Sequence, residues 1–282
     1  MNILRTKEAV KSALQNISGP QRTVGFVPTM GALHEGHLAL VEKAKESSDV
    51  VFVSIFVNPT QFNNPDDFAK YPNTLDKDLD LLKNTGVDYL FIPDIQEIYP
   101  EKPMLSIDFG DLERVLEGAF RPGHFNGVGI VVSKLLNIVK PHKAFFGQKD
   151  LQQVAVIKRL VADLSFDVEI VVVPTVREED GLALSSRNLR LSPTERQSAL
   201  ILFKALSFAK DELLAGEPWL DVREKIDELI MTQIGVSLEY FELVRSDNMK
   251  ILDKLEKNIP VSICTAAYVG EVRLIDNIAV ID

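Results

Sequence analysis

Two histidines stand three residues apart in the stretch P-T-M-G-A-L-H-E-G-H, residues 28–37, of a 282-residue chain that has only four histidines. The apolar run before them, residues 24–27, predicts a buried strand, and a helix is expected to begin near Glu35. His34 and His37 can then face one side of the first helical turn. A helix N-terminus carries unpaired N–H groups and a partial positive charge, so the position favours an anion such as phosphate.

Two other interpretations of the histidine pair compete with phosphate binding. The zinc helix of metalloproteases needs histidines four apart, with two residues between the glutamate and the second histidine. Here the histidines are three apart, and only Gly36 lies between Glu35 and His37. The sequence has no cysteine cluster or further close histidine that would complete a zinc site. A purely structural role, in which one histidine caps the helix, stays open.

The stretch F-F-G-Q-K-D-L-Q-Q, residues 145–153, carries a lysine just after a predicted strand. Gly147 is expected to turn the chain, and Lys149 to project at the sheet edge as a flexible positive charge for a phosphate. Asp150 either contacts the ligand or caps the helix that carries Gln153.

The stretch R-E-E-D-G-L-A-L-S-S-R-N, residues 177–188, offers two hydroxyls and a guanidinium after a predicted strand. Ser185, Ser186 and Arg187, together with loop N–H groups, are suited to a triphosphate. The alternative is a solvated connector between domains.

Polar side chains also follow two other predicted elements. Asn58 and Gln61 follow the second predicted strand, and Glu117, Arg121 and His124 lie on a turn rich in glycine and proline before a helix. Each could be an ordinary polar loop. Several polar loops at the carboxyl edge of one sheet, however, predict a pocket.

These loops require a sheet that brings strand ends together, and the first 175 residues predict one. Short runs rich in β-branched and aromatic residues alternate with amphipathic stretches, as is typical of parallel strands joined by helices. The predicted strands are residues 24–27, 50–57, 89–92, 144–146 and 168–173, and the predicted helices are 35–46, 74–84, 128–139 and 151–163. We therefore expect a Rossmann-like, doubly wound α/β domain over residues 1–175.

The pattern changes after residue 175. Two amphipathic helices, residues 194–214 and 218–234, precede two or three alternating strands near 238–244, 261–269 and 273–275. A smaller α+β domain is expected over residues 176–282, beginning with the L-S-S-R loop.

Composition favours small-molecule substrates. The net charge of -10 argues against nucleic acid or an anionic membrane surface as a partner. The single cysteine, Cys264, excludes an internal disulfide, and its apolar neighbours predict an inert core position. The N-terminal residues have charges at helical spacing rather than the continuous apolar run of a signal peptide, and no segment is long and apolar enough for a membrane span. A cytoplasmic protein is expected.

Five blocks together resemble the pantothenate synthetase (pantoate–β-alanine ligase) family of the H-x-G-H nucleotidyltransferase superfamily. They are P-T-M-G-A-L-H-E-G-H, F-V-N-P-T-Q-F, R-P-G-H-F-N-G-V, F-F-G-Q-K-D-L-Q-Q and R-E-E-D-G-L-A-L-S-S-R-N, and they run from about Val24 to Leu191. The resemblance implies a ligase that uses ATP with Mg²⁺, joins pantoate to β-alanine through a pantoyl adenylate and is usually a homodimer. Mg²⁺ would bind mainly to phosphate oxygens of ATP, and no protein ligand is assigned to it.

Site residues follow from the resemblance by matching positions. His37, the implied proton donor, would act in catalysis with His34, Lys149 and Arg187. The implied ATP site comprises Met30, Gly31, Ala32, Leu33, His34, Glu35, Gly36, His37, Gly147, Gln148, Lys149, Asp150, Val176, Leu184, Ser185, Ser186 and Arg187. The implied sites for pantoate and β-alanine comprise Pro28, Thr29, Met30, Asn58, Gln61, Arg121, His124 and Gln153, with Glu117 in the pocket wall.

One departure concerns the loop that carries two lysines in the broader superfamily. L-S-S-R-N has serines and one arginine instead, so Lys149 and Arg187 are expected to take over the lysine function. A mixed anhydride is destroyed by water, so we also expect a lid, at residues 63–71. Two other classes stay open, another small-molecule nucleotidyltransferase and a non-catalytic α/β binding module.

Overall fold

The computed structural model describes residues 1–17, 22–62, 68–69 and 71–282. The chain divides into two compact units, which are described separately below. The first comprises Met1–Gly147 and Val156–Val173, and the second comprises Gln148–Ala155 and Pro174–Asp282. The division predicted at residue 175 had placed Gln148–Ala155 with the first domain.

The first unit is built on a six-stranded sheet in which all neighbouring strands are parallel. The strand order is β1-β4-β3-β2-β5-β6. The strands are β1 (Asn2–Leu4), β2 (Val24–Thr29), β3 (Val50–Ile55), β4 (Tyr89–Phe91), β5 (Lys143–Gly147) and β6 (Glu169–Val173). Phe26, Phe52 and Phe145 are fully buried in this sheet, as expected for parallel strands covered on both faces.

Helices connect these strands. They are α1 (Lys7–Gln15), α2 (Glu35–Ser47), α3 (Leu75–Leu82), α4 (Ile95–Ile98), α5 (Leu116–Phe120), α6 (His124–Val139) and α7 (Leu151–Asp163). Helix α7 begins in the second unit and continues into the first. Short 3-10 turns occur at Pro59–Gln61, Gly110–Glu113 and Gln148–Asp150.

The second unit has a three-stranded antiparallel sheet in the order β7-β8-β9. Its elements are a 3-10 turn at Ser186–Arg190, helices α8 (Pro193–Ala215) and α9 (Trp219–Met231), and strands β7 (Val236–Arg245), β8 (Val261–Val269) and β9 (Val272–Ile281). Trp219 stacks on Phe241 with ring centroids 6.1 Å apart, and Cys264 is buried, as predicted.

The predicted fold class, a parallel α/β sheet with a smaller α+β domain, is confirmed. Strand β1 was not predicted, because three residues are too few to show a periodic pattern. Strand β9 was predicted over only residues 273–275, since Asp276 and Asn277 interrupt its apolar alternation. None of the helices in the described ranges is long and apolar enough to cross a membrane.

Candidate active site

The turn that follows β2 lies where the strand order of the first unit reverses. From β2 the chain continues to β3 and β4 on one side, whereas β5 and β6 lie on the other. Ligands of open parallel sheets bind beyond the carboxyl ends of strands at this position. In the turn, Gly31 and Ala32 have φ angles of 81° and 52°. A positive φ is uncommon for a residue other than glycine, so the turn needs support from outside.

Asp78 of α3 supplies this support. Its side chain is 2% exposed. Oδ2 accepts a hydrogen bond from the N–H of Ala32 at 2.9 Å and Oδ1 accepts one from the N–H of Leu33 at 2.8 Å. A Cβ added at Gly31 would lie 3.1 Å from Oδ2, so the close approach favours glycine. Hydrogen bonds to a carboxylate are about twice as strong as those between neutral groups, and Asp78 therefore fixes the turn.

Both histidines cap helix α2. Nδ1 of His34 accepts a hydrogen bond from the N–H of Gly36 at 3.1 Å, and Nδ1 of His37 accepts one from the N–H of His34 at 3.3 Å. The two rings lie 4.1 Å apart between centroids. Because each Nδ1 accepts, the proton of each neutral ring is on Nε2. The capping role left open by the sequence is thus real, and it orients two Nε2–H donors.

The residues after β3 form a buried amide cluster. Asn58 is 1% and Gln61 is 7% exposed. Nδ2 of Asn58 donates to Oε1 of Gln61 at 3.1 Å and to the carbonyl of Gly127 at 3.2 Å. Nε2 of Gln61 lies 3.0 Å from Sδ of Met30. The structure therefore places Gln61, a predicted pantoate-binding residue, against Met30 in the turn that is predicted to bind ATP.

His124 belongs to the same cluster. Its Nδ1 lies 2.9 Å from the carbonyl oxygen of Gln61 and its Nε2 lies 3.3 Å from Nη1 of Arg121. A carbonyl only accepts and a guanidinium only donates, so these two contacts fit the tautomer with its proton on Nδ1. Oε2 of Glu117 lies 3.7 Å from the same Nη1. Arg121, Glu117 and His124 are thus one connected group at the start of α6.

Thr29, another predicted residue of the first unit, has structural partners. The hydroxyl of Thr29 donates to the carbonyl of Ser54 at 2.7 Å and accepts from the N–H of Gly31 at 3.2 Å. Pro28 lies within β2. Thr29 thus helps to close the turn from the strand side.

In the second unit, Asn277 of β9 holds the turn that carries Lys149. Asn277 is 3% exposed, and its Nδ2 donates to the carbonyl of Gln148 at 3.0 Å and to that of Lys149 at 2.9 Å. Lys149 is half-buried and Asp150 is exposed. Gln153 lies in the first turn of α7. The position of the Lys149 backbone thus depends on a residue near the end of the chain.

Residues 176–184 form a hairpin rather than a solvated connector. The N–H of Leu184 donates to the carbonyl of Val176 at 3.0 Å, and Arg177 pairs with Ala183. Arg177 also donates to both carboxylate oxygens of the buried Asp276, at 2.6 and 2.9 Å. A hydrogen bond from Arg196 lowers the pKa of Asp180 in the hairpin tip. This hairpin positions the L-S-S-R stretch at its end.

The L-S-S-R stretch itself is ordered by local hydrogen bonds. The hydroxyl of Ser185 accepts from the N–H of Arg187 at 3.2 Å. Ser186 begins the 3-10 turn that follows. Ser185 and Arg187 line one pocket of the second unit together with Lys149, so this unit brings three of the predicted ATP-site residues together.

No three His, Cys, Asp or Glu side chains within the described ranges come together in a way that could hold a metal ion. Both oxygens of Asp78 already accept backbone N–H groups. The described carboxylates therefore offer no ready-made cluster of three ligands for a magnesium ion. Of the predicted lid, residues 63–67 and 70 lie outside the described residues, and the lid stays a prediction.

Comparison with known proteins identifies the family. The model of the pantoate–β-alanine ligase family matches residues 2–279. The chain belongs to this family. It is 48% identical over 260 residues to pantothenate synthetase of Cytophaga hutchinsonii, and the match covers 92% of each chain. It is 48% identical to that of Phocaeicola vulgatus, with 99% of both chains covered.

Solved structures of pantoate–β-alanine ligases have the same fold. Pantothenate synthetase from Thermus thermophilus superposes with a TM-score of 0.93 at 42% identity over 100% of both chains. The enzyme from Francisella tularensis, complexed with β,γ-ATP and β-alanine, gives a TM-score of 0.81 at 41% identity. It covers 99% of this chain and 98% of its own. The chain is thus a ligase of this family over its whole described length.

Some residues of this chain support the site but were not predicted from the sequence. Asp78 carries a signal, since it lies at helical spacing between Leu75 and Leu82 on the apolar face of α3, where a carboxylate is unexpected. Tyr99 and Asn277 carry none, because each acts on residues distant in sequence.

Proposed function

We propose that this chain condenses pantoate with β-alanine, with conversion of ATP to AMP and pyrophosphate, through a pantoyl adenylate. The observation that carries the proposal is the turn after β2, where His34 and His37 cap helix α2 through Nδ1 and Met30 of the same turn contacts Gln61. Family membership across residues 2–279 supports the same reaction.

The first step joins two anions. A carboxylate oxygen of pantoate bonds to the α-phosphorus of ATP, and the bond from that phosphorus to the pyrophosphate oxygen breaks. Negative charge grows on the phosphoryl and bridging oxygens as this happens, and donors aimed at those oxygens lower the barrier. We propose His34, His37, Lys149 and Arg187 as these donors, as the family resemblance implies.

The second step needs no protein nucleophile. The amine of β-alanine attacks the acyl carbon of the adenylate, the C–N bond forms, and the C–O bond to AMP breaks with loss of an amine proton. The adenylate must be protected from water during this interval, which is the function we propose for the lid at residues 63–71.

The remaining predicted residues keep the roles that the family resemblance implies. Gln61 and Gln153 hold pantoate, and Gln61 also lies near β-alanine in this proposal. The further pocket residues are Pro28, Thr29, Met30, Asn58, Glu117, Arg121 and His124. The further nucleotide residues are Gly31, Ala32, Leu33, Glu35, Gly36, Gly147, Gln148, Asp150, Val176, Leu184, Ser185 and Ser186.

Magnesium is proposed to arrive bound to the phosphate oxygens of ATP, in keeping with its preference for few protein ligands in nucleotide sites. No step is assigned to it here. A homodimer, a cytoplasmic location and a domain boundary near residue 175 also stay proposals.

A two-stage product assay tests the reaction. With ATP and magnesium present, pyrophosphate should form only when pantoate is added, and AMP should be released at a sustained rate only when β-alanine is added as well. Pyrophosphate release without pantoate, or AMP release that is indifferent to β-alanine, would contradict the proposal. A nucleotidyltransferase of another kind would instead retain the nucleotide in its product.

A further inference from the structure

The amide of Asn58 can be oriented from its neighbours alone. Its Nδ2 lies 3.2 Å from the carbonyl oxygen of Gly127, which can only accept. Its Oδ1 lies 3.4 Å from the N–H of Thr60, which can only donate. If the amide were reversed, Oδ1 would face the carbonyl oxygen of Gly127, and Nδ2 would face the N–H of Thr60. Neither pair can form a hydrogen bond, so the orientation is unambiguous.

The orientation of Asn58 determines that of Gln61. Nδ2 of Asn58 donates to the side-chain oxygen of Gln61 at 3.1 Å. The Oε1 end of the Gln61 amide is therefore occupied, and its Nε2 end points the other way, to within 3.0 Å of Sδ of Met30. Thioether sulfur is a weak acceptor, so Nε2–H remains a capable donor toward a ligand at this turn.

The cluster is packed closely enough to hold these orientations. A Cβ at Gly127 would lie 2.3 Å from the carbonyl oxygen of Thr60 and 2.7 Å from Cα of Gln61. Helix α6 therefore contacts the Pro59–Gln61 turn directly. The backbone that carries Gln61 is therefore held close against α6.

Tyr99 begins the sequence of hydrogen bonds. Its side chain is buried, and its hydroxyl donates to Oδ1 of Asn58 at 2.9 Å, the shortest bond to that oxygen. Burial raises the pKa of Tyr99, so the phenol stays protonated and able to donate. Its ring lies 6.2 Å from that of Phe56, and its hydroxyl also lies 3.3 Å from the hydroxyl of Thr60.

We propose that Tyr99 is a positioning residue that acts through Asn58 to turn the N–H of Gln61 toward the substrate. The direction of donation is Tyr99 to Asn58 to Gln61 to ligand. The subsite beside Met30 therefore selects a hydrogen-bond acceptor, a carboxylate or hydroxyl oxygen, and rejects a donor such as an ammonium group. This inference rests on the proposed function for the identity of the acceptor, the oxygens of pantoate.

Tyr99→Phe removes the hydroxyl and keeps the ring. At saturating ATP, KM for pantoate in the pyrophosphate assay should rise about tenfold, the usual scale of one lost hydrogen bond near a binding group. The KM for ATP should stay within about twofold of that of the unmodified protein, because a change at one site has little effect on an independent site. Tyr89→Phe is the matched control, since Tyr89 of β4 stacks on Phe52 and should leave both constants unchanged.

A background variant separates the relay from a general loss of structure. In Gln61→Ala, added Tyr99→Phe should change KM for pantoate by no more than about twofold, because the residue it acts through is gone. Equal tenfold effects in both backgrounds, or no effect in either, would overturn the proposal. If Tyr99→Phe fails to fold, Asn58→Asp tests the same relay, since a carboxylate cannot donate to Gln61, and its effect must likewise vanish in Gln61→Ala. Absence of any pantoate dependence in the unmodified protein would instead reject the proposed function.

Discussion

His37→Glu should lower kcat for pantoate-dependent pyrophosphate release by about 100- to 1,000-fold, the range seen when one donor to a transition-state oxyanion is lost. Glutamate is a usual residue at the third position of a capping box, so it can replace the bond that Nδ1 of His37 makes to the N–H of His34. Helix α2 should therefore keep its cap. The change removes the Nε2–H donor and places a negative charge where phosphate charge grows.

Two variants define what the His37 result means. His37→Gln also retains the cap but is neutral, and it should lose less activity than His37→Glu. Glu42→Gln, at an exposed position of the same helix, should turn over normally. Thermal unfolding midpoints should agree among all of them. Near-normal turnover of His37→Glu would show that His37 only caps the helix.

Lys149→Ala should lower kcat/KM for ATP in the same assay by about 100- to 1,000-fold, again because a donor to developing phosphate charge is lost. The backbone of this turn is held by Asn277 through the carbonyls of Gln148 and Lys149. Those bonds do not involve the Lys149 side chain. The turn should therefore survive the substitution, and the measured loss should report the ammonium group alone.

Lys158→Ala is the matched control for Lys149. Lys158 is an exposed lysine on α7, the helix that follows the turn, and its removal should not change kcat/KM. Lys149→Arg should restore part of the rate, since arginine keeps the charge but not the compact point geometry of the ammonium. If Lys149→Ala has the same kcat/KM for ATP as Lys158→Ala, the positive charge of Lys149 has no part in the reaction.

Local periodicity was enough to predict most elements of the fold. Helix α7 agrees with its prediction at both ends, and β8 likewise. Parallel strands covered on both faces are continuous apolar runs, which stand out against amphipathic helices. The predictions were weakest at β1, which is too short to show a period, and at β9, where Asp276 and Asn277 break the alternation.

Those two β9 residues show why a polar interruption can belong inside a strand. Asp276 accepts both bonds from Arg177, and Asn277 donates to the turn of Lys149. Their partners lie about a hundred or more positions away in the chain. No local pattern can reveal such pairs, so the interruption was taken for the end of the strand.

The candidate site was predictable where function needs a special local shape. The histidine pair at a helix start, and the glycine turns before it, are local features that the sequence displays. The supporting residues were not predictable. Asp78 contacts the turn from 46 positions away and Tyr99 contacts Asn58 from 41 positions away.

Transfer of ¹⁸O from pantoate to AMP tests the central claim most directly. When the unmodified protein converts pantoate labelled in both carboxylate oxygens, together with ATP and β-alanine, one labelled oxygen should appear in the phosphate of AMP. The account predicts this because the attacking oxygen stays on the α-phosphorus when the amine displaces AMP. Unlabelled AMP, or label in pyrophosphate or inorganic phosphate, would show attack at another atom and contradict the account.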